Sequence, residues 1–161
     1  MVVHLVDTGI GTGTGGRIKR VEDWLDGEQF MPTYGDGVAT VDFDKLVDFD
    51  LSSGCAPTVT AVCPSARFGG LNLDVDSVVR FGEKRFSEGW LNGGFTVLSG
   101  TLLDRIHGEG DSLETDMLEG LSDAGELAAF RHEGFWQCMD TPRDVRLLLD
   151  LWNSGSPPWK S

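Results

Sequence analysis

Apolar residues recur along the chain with two different periods, one typical of strands and one typical of helices. Stretches with the one period and stretches with the other follow one another along the chain. Short runs rich in β-branched and aromatic residues predict strands at 2–6, 29–34, 57–63, 93–99 and 126–136. Stretches with apolar residues every three or four positions predict helices at 15–27, 42–54, 100–108, 112–125 and 141–155. Two more runs, 67–74 and 77–84, predict a pair of strands around an Asp-rich turn. This alternation predicts an α/β fold with a largely parallel sheet.

The ends of two of these helices are marked by residues that favour helix termini. Thr14 is a candidate cap for the first helix, and Gly27 follows its last apolar position. The last helix has the strongest signals, with Thr141 as cap, Pro142 at the first helical position and Gly155 after the end. We therefore expect the last helix to form as predicted.

The composition indicates the size of the domain, the net charge of the protein and its cellular compartment. The chain has 161 residues, of which 40% are hydrophobic, and this suits one domain over residues 1–161 with a buried core. The formal net charge of −13 repels nucleic acid and anionic membranes, and no window approaches the ~20 apolar residues of a membrane span. The three cysteines show no CxxC spacing and are odd in number, which argues against a disulfide framework. We expect a cytoplasmic protein.

The negative charge also sets a condition on any phosphorylated ligand. An acidic protein that binds phosphate needs a divalent metal ion or a local group of Lys and Arg side chains. The same acidity is equally typical of a solvated, salt-adapted surface. Charge alone therefore does not select a phosphate ligand.

One glycine pattern admits a different function. Gly11, Gly13 and Gly16 have the GxGxxG spacing of a dinucleotide-binding loop, between a predicted strand and a predicted helix, and Asp36 follows at the distance of the ribose-binding acid. The chain has 22 glycines, so a chance match is easy. Asp36 also stands inside a glycine turn, where that fingerprint expects an acid at the end of a strand.

Two carboxylates stand out as candidates for metal binding. Asp36, in TYGDGV, and Asp140, in FWQCMDT, each follow an apolar run and begin a turn. Ligand sites in open α/β sheets lie at the carboxyl ends of strands, where two aspartates can converge on one Mg²⁺. The alternative is a turn aspartate and an aspartate that merely precedes a helix.

A second group of polar residues lies in RFGEKRFSEGWLNGGF. Glu83 and Lys84 are adjacent near a predicted strand end, where a lysine offers a phosphate three donors. Asn92 precedes Gly93 and Gly94, which places an amide beside accessible backbone N–H groups and suits a ligand with hydroxyls, such as a sugar. The alternative is a charged edge and a hairpin.

The order of several motifs carries a family resemblance. LVDTG…TGGRIKRV, TYGDGVATVD, TVTAVCPSARFGGLNLD, LNGGFTVL, GFWQCMDTPRD and LWNSGSPPWK cover nearly the whole chain. In this order they resemble the glucose-1-phosphate cytidylyltransferases, a family of sugar-phosphate nucleotidyltransferases. The resemblance implies a Rossmann-like nucleotide-diphospho-sugar transferase fold with a mostly parallel mixed sheet. It also implies transfer of CMP from CTP to glucose 1-phosphate, giving CDP-glucose and pyrophosphate.

The resemblance further implies roles for individual residues. Asp36 and Asp140 resemble the pair that binds Mg²⁺, and Lys84 resembles the catalytic cation on the sugar phosphate. The implied substrate-binding positions are Thr14, Arg17, Gly35, Gly69, Glu83, Lys84, Asn92 and Gly93. Of these, Thr14 and Arg17 are expected near the nucleotide or the glucose, and the others near the sugar or its phosphate.

The chain departs from the family pattern in three places. No GGxGTRL loop with its following catalytic lysine precedes VVHLVDTG, so we expect the first strands and most of the cytosine pocket to be missing. Arg85 stands where the family has a proline, and Gly82 stands where it usually has glutamine. The sugar-phosphate half is then present and the nucleotide half absent.

Two functions follow from these expectations. One is the sugar- and metal-binding half of a cytidylyltransferase, with glucose 1-phosphate and CTP as ligands once it is completed. The alternative is a non-catalytic sugar-phosphate-binding or regulatory module derived from that family. In either case an uncovered sheet edge predicts a homo-oligomer or a partner chain along that edge.

Overall fold

The computed structural model describes residues 2–25, 29–54, 57–64, 70–74, 77–82 and 89–160. Its α-helices are α1 (Thr14–Arg20), α2 (Phe43–Ser53), α3 (Glu119–Asp123) and α4 (Pro142–Asn153). Shorter helical turns span Glu22–Trp24, Gly100–Arg105 and Leu113–Leu118. The strands are β1 (Gln29–Phe30), β2 (Gly37–Ala39), β3 (Thr58–Val62), β4 (Gly70–Asp74), β5 (Ser77–Gly82), β6 (Leu91–Ser99), β7 (Ala128–His132) and β8 (Trp136–Cys138).

The strands form one four-stranded sheet and two smaller ladders. The sheet has the order β1-β6-β3-β7, and β2-β8 and β4-β5 form separate two-stranded ladders. The pairs β1-β6, β2-β8 and β4-β5 are antiparallel. The predicted α/β class is confirmed, because the protein combines a mixed sheet with flanking helices.

The described residues group into two compact units. The first comprises Met1–Thr33, Phe43–Val59 and Phe95–Phe130. The second comprises Tyr34–Asp42, Thr60–Gly94 and Arg131–Ser161. Each unit is built from segments that are distant in sequence, and the single domain over residues 1–161 stays a prediction. No helix in the described part of the chain is long and apolar enough to cross a membrane.

The largest apolar cluster lies within the first unit. It is built from the end of β6, the helical turns that follow it and α3. Its buried members are Leu98, Leu102, Leu103, Ile106, Leu113, Met117, Leu118 and Leu121. Ile18 of α1 packs against this cluster, which explains why only one face of that short helix is apolar.

The last helix forms as its sequence predicts. Thr141 caps α4, because its hydroxyl accepts from the Asp144 N–H while the Asp144 carboxylate accepts from the Thr141 N–H. Pro142 occupies the first helical position, where a missing N–H costs nothing. Gly155, with φ +83°, follows the end of the helix. All of these signals lie within the helix or directly beside it, so the sequence alone is sufficient to predict its two ends.

Two predicted strands are wrong in whole or in part. Residues 2–6 form no strand, and Leu5 is 96% exposed, because a β-rich run becomes a strand only when another strand pairs with it. The run 29–34 is a strand only over β1. Pro32 has no N–H to donate, although its carbonyl accepts from the Thr96 N–H, and Thr33 then makes an isolated bridge to Phe95.

Candidate active site

The β2-β8 ladder determines where the two candidate metal-binding aspartates lie. Gly37 pairs with Cys138, and the two strands are antiparallel. Asp36 directly precedes Gly37, and Asp140 follows Cys138 by two residues, so both aspartates lie at the same end of this ladder. Both are exposed. Asp140 follows a strand as predicted, but Asp36 precedes one, and the antiparallel pairing brings the beginning of β2 to the end of β8.

The carboxylate of Asp140 contacts the last residue of the strand that precedes it. The Cys138 thiol donates to Asp140 Oδ2 over 3.1 Å, which leaves Oδ1 of that carboxylate for another contact. Burial raises the pKa of the Cys138 thiol above its ordinary value, and the Asp140 carboxylate raises it further. The thiol therefore stays protonated at neutral pH and acts as a donor to Asp140. In the described ranges, no group of three or more His, Cys, Asp or Glu residues is arranged to hold a metal ion.

A cavity of about 590 Å³ opens beside Asp140. Trp136, Gln137 and Asp140 line one part of it, and Arg143 at the beginning of α4 lines another. Leu91, at the first position of β6, is also in its wall. The residues of its wall thus include an acidic, a basic and an aromatic one, a combination that suits a polar, charged ligand.

Two aromatic residues hold the glycine pair that follows Asn92. The Trp136 Nε1–H donates to the Gly93 carbonyl over 2.8 Å. A Cβ on Gly94, whose φ is +81°, would lie 2.5 Å from Cδ2 of Tyr34, so the Tyr34 ring covers this glycine. The Asn92 Oδ1 accepts from the Gly94 N–H over 2.9 Å.

This arrangement separates the roles that Asn92 and Gly93 can have. Asn92 is exposed, and its bond from Gly94 uses only the amide oxygen, which leaves the two Nδ2 donors for a ligand. Gly93 is buried, and a Cβ there would lie 2.6 Å from Cγ1 of Val62. A ligand can therefore contact Gly93 only through its backbone.

Thr14 and Arg17 belong to the first unit and make contacts there. The Thr14 hydroxyl donates to Glu114 Oε2 over 2.7 Å and accepts from the Leu113 N–H over 2.8 Å. Thr14 is itself the first residue of α1, whose N-cap is Gly13, so the predicted capping role of Thr14 is wrong. Its hydroxyl binds the segment 113–114, a contact that no local pattern could reveal.

Arg17 holds the loop that precedes α1. Its guanidinium donates to the Thr8 hydroxyl over 2.6 Å and to the Ile10 carbonyl over 3.4 Å. Arg20 adds a second link, because it donates to the Thr8 carbonyl over 2.7 Å and also contacts Glu109. The two arginines fix residues 8–10 against α1.

The glycines of the GxGxxG pattern have a packing role. The Gly13 N–H donates to the Glu109 carbonyl over 2.8 Å, and the Gly15 N–H donates to the Asp111 carbonyl over 2.9 Å. A Cβ on Gly16 would lie 2.8 Å from the Glu109 carbonyl carbon. The backbone of 109–111 thus occupies the space that a dinucleotide pyrophosphate would need, so the dinucleotide-binding interpretation is wrong.

Asp111 stabilises the loop that receives α1. Its Oδ2 accepts from the His107 N–H over 2.8 Å and from the Gly108 N–H over 3.0 Å. These backbone donors hold the pKa of the Asp111 carboxyl below its ordinary value. Asp111 is therefore ionised at neutral pH, and it orders the turn whose carbonyls contact the glycines of α1.

The remaining predicted site residues fall into two groups. Gly35 is described and lies in the exposed turn beside Asp36. Gly69, Glu83 and Lys84 lie outside the described residues.

Sequence reasoning missed Tyr34, Trp136 and Arg143. An aromatic residue two to four positions before each candidate aspartate was a signal that could have identified the first two.

Comparison with solved structures identifies the fold. No protein-family model matches the chain. HddC from Yersinia pseudotuberculosis is similar with a TM-score of 0.66 at 24% identity, over 88% of this chain and 63% of that chain. The inositol-1-phosphate CTP transferase from T. maritima is similar with a TM-score of 0.55 at 16% identity, over 83% of this chain and 58% of that chain. The chain therefore has a nucleotidyltransferase fold.

Sequence comparison is more specific. The chain is similar in sequence to glucose-1-phosphate cytidylyltransferases, which confirms the resemblance carried by its motifs. The enzyme of that name from Salmonella typhi is 45% identical over 99% of this chain. The chain spans 63% of the length of that relative.

Proposed function

We propose that this chain supplies the sugar-phosphate and metal-binding half of a glucose-1-phosphate cytidylyltransferase. The observation that carries the proposal is the β2-β8 register, which brings Asp36 and Asp140 to one end of a ladder, where Asp140 also lines the cavity. The sequence similarity to the enzymes of that name supports the proposed reaction, in which CMP passes from CTP to glucose 1-phosphate with release of pyrophosphate.

Asp36 and Asp140 are proposed to hold Mg²⁺. The donor set suits this ion, because Mg²⁺ prefers oxygen ligands and takes only one or two carboxylates, leaving other positions for phosphates and water. Both carboxylates are exposed, and Oδ1 of Asp140 is not engaged by the Cys138 thiol. When bound, the ion would neutralise phosphate charge that a protein of net charge −13 otherwise repels.

The sugar phosphate is proposed to lie between this metal site and Asn92 at the beginning of β6. The exposed Asn92 amide would donate to a sugar hydroxyl, and the Arg143 guanidinium in the cavity wall would attract the phosphate. Lys84 is proposed as the catalytic cation, and Glu83, Gly69, Gly35 and Gly93 as sugar or phosphate contacts. Thr14 and Arg17 are proposed to contact the nucleotide or the glucose from α1.

In this arrangement the protein acts by position and charge. The phosphate oxygen of glucose 1-phosphate attacks the α-phosphorus of CTP in line with the departing pyrophosphate. No protein nucleophile is required, so the work of these residues is to orient the acceptor phosphate and to compensate negative charge.

The function is tested with the chain, Mg²⁺ and glucose 1-phosphate in a calorimeter, followed by an assay for pyrophosphate release with CTP. We expect Mg²⁺-dependent binding of glucose 1-phosphate. The assay is made with the chain alone and with a polypeptide that carries the GGxGTRL segment. Binding with turnover in either case establishes the enzyme, whereas binding without turnover in both cases supports the non-catalytic sugar-phosphate module. Absence of any binding would falsify both.

We also propose that two copies of the chain associate. Residues 2–10 expose several large apolar side chains, namely Val2, Val3, Leu5, Val6 and Ile10. Such a run favours pairing with another extended segment or a sheet edge. We expect light scattering to give a mass above that of one 17.5 kDa chain, with less association in Leu5→Lys. A monomer at high concentration would rule this out.

We place the protein in the cytoplasm.

A further inference from the structure

We propose that Trp136 is a positioning residue whose indole N–H orients the backbone beside Asn92, at the beginning of β6, for binding of the sugar. This proposal rests on the proposed function, because it concerns how the same site recognises the sugar ring. It is carried by the hydrogen bond from Trp136 Nε1 to the Gly93 carbonyl, 2.8 Å long.

The carbonyl that accepts this hydrogen bond belongs to a buried and tightly packed residue. Gly93 is buried and is packed so closely against Val62 that it has no room for a side chain. A buried carbonyl without a partner costs free energy, so the indole N–H stabilises one orientation of this peptide group. The N–H of this same peptide group, on Gly94, donates to Asn92 Oδ1. The indole therefore acts on the Asn92 amide through the orientation of a single peptide group.

The same indole is connected to the metal-binding end of the ladder. Trp136 begins β8, the strand that ends at Cys138 two residues before Asp140, and Trp136 and Asp140 both line the same cavity. Tyr34 has the equivalent position on the other segment, because it lies two residues before Asp36 and its ring covers Gly94. Each aspartate-bearing segment thus contributes one aromatic residue to the Gly93–Gly94 pair.

The aspartates and the aromatic residues would therefore have separate roles within one site. The aspartates and their ion attract the phosphate, whereas the aromatic contacts determine where the Asn92 donors point. Loss of the indole N–H should therefore weaken recognition of the sugar ring and leave the binding of Mg²⁺ and of inorganic phosphate nearly unchanged.

The test compares the full chain with Trp136→Phe, which keeps an aromatic ring but lacks the N–H. Calorimetry would measure affinity for glucose 1-phosphate with Mg²⁺, for inorganic phosphate with Mg²⁺, and for Mg²⁺ alone. We expect a loss of about fivefold to tenfold for glucose 1-phosphate only, as for one hydrogen bond. Trp152→Phe, on the exposed side of α4, is the matched control and should bind all three ligands like the parent protein.

A second measurement avoids any folding defect of the variant. In the ¹⁵N-labelled parent protein, glucose 1-phosphate should shift the indole N–H signal of Trp136 more than inorganic phosphate does. Equal glucose 1-phosphate affinity in Trp136→Phe, or an unmoved indole signal, would overturn the positioning role and leave the proposed function standing. A parallel loss for all three ligands would indicate a structural role only and would also overturn it. Failure of the parent protein to bind would overturn both proposals.

Discussion

Replacing Asp140 by asparagine is expected to abolish the Mg²⁺-dependent part of glucose 1-phosphate binding. The substitution keeps the size of the side chain and an oxygen that can accept from the Cys138 thiol, but it removes the charge that attracts the ion. Loss of a residue that merely supports a metal ligand costs about 10- to 100-fold in metal affinity, so loss of the ligand itself should cost about 100-fold or more.

The Asp36→Asn substitution should have an effect of similar size, because both aspartates lie at the same end of the β2-β8 ladder. The matched control is Asp150→Asn, which removes an exposed carboxylate from α4 and should bind Mg²⁺ like the parent protein. Calorimetric titration with Mg²⁺ makes the measurement. Unchanged Mg²⁺ affinity in both Asp36→Asn and Asp140→Asn would remove the metal site from this ladder.

Replacing Gly16 by alanine is expected to lower the free energy of unfolding by about 3 kcal/mol, at the upper end for overpacking. The new Cβ would lie 2.8 Å from the carbonyl carbon and 3.0 Å from Cα of Glu109, which are backbone atoms that cannot rotate away. Either α1 or the segment 109–111 must move, and the hydrogen bonds from Gly13 and Gly15 to that segment would be strained or lost.

Gly120→Ala provides the control for this prediction. Gly120 lies within α3, and a Cβ added there would meet no atom of another element within 4 Å, so alanine should stabilise the protein by about 0.5–1 kcal/mol. Urea unfolding at neutral pH would measure both variants. A Gly16→Ala protein as stable as the parent would show that the contact between α1 and 109–111 does not form in solution.

How much of the fold the sequence predicts depends on how local each determinant is. The α4 helix is predicted completely, because the Thr141 cap, Pro142 and Gly155 all lie within or beside it. The run 2–6 has the residue types of a strand, but pairing is a property of two segments and none of its own residues encodes the partner. Thr14 has the composition of a cap, yet its hydroxyl binds a segment about a hundred residues away.

The candidate site shows the same limit. Asp36 and Asp140 could be chosen from the sequence because each lies beside an apolar run, although only Asp140 follows the end of a strand. What brings Asp36 to the same place is the antiparallel register of Gly37 with Cys138, which periodicity does not specify. The contacts of Trp136 and Tyr34 with the glycine pair also depend on that register, so neither aromatic residue could be assigned from sequence alone.

The register of β2 with β8 also bears on the order of events during synthesis. A ribosome completes the Asp36 turn early, whereas Asp140 emerges only when most of these 161 residues have been made. If these two carboxylates hold Mg²⁺ as proposed, they cannot share the ion during most of that time, and Mg²⁺ cannot serve as a template for the early folding steps. The ion would instead bind after β2 and β8 have paired. Mg²⁺ affinity would therefore report whether these two strands, which are distant in sequence, are correctly paired.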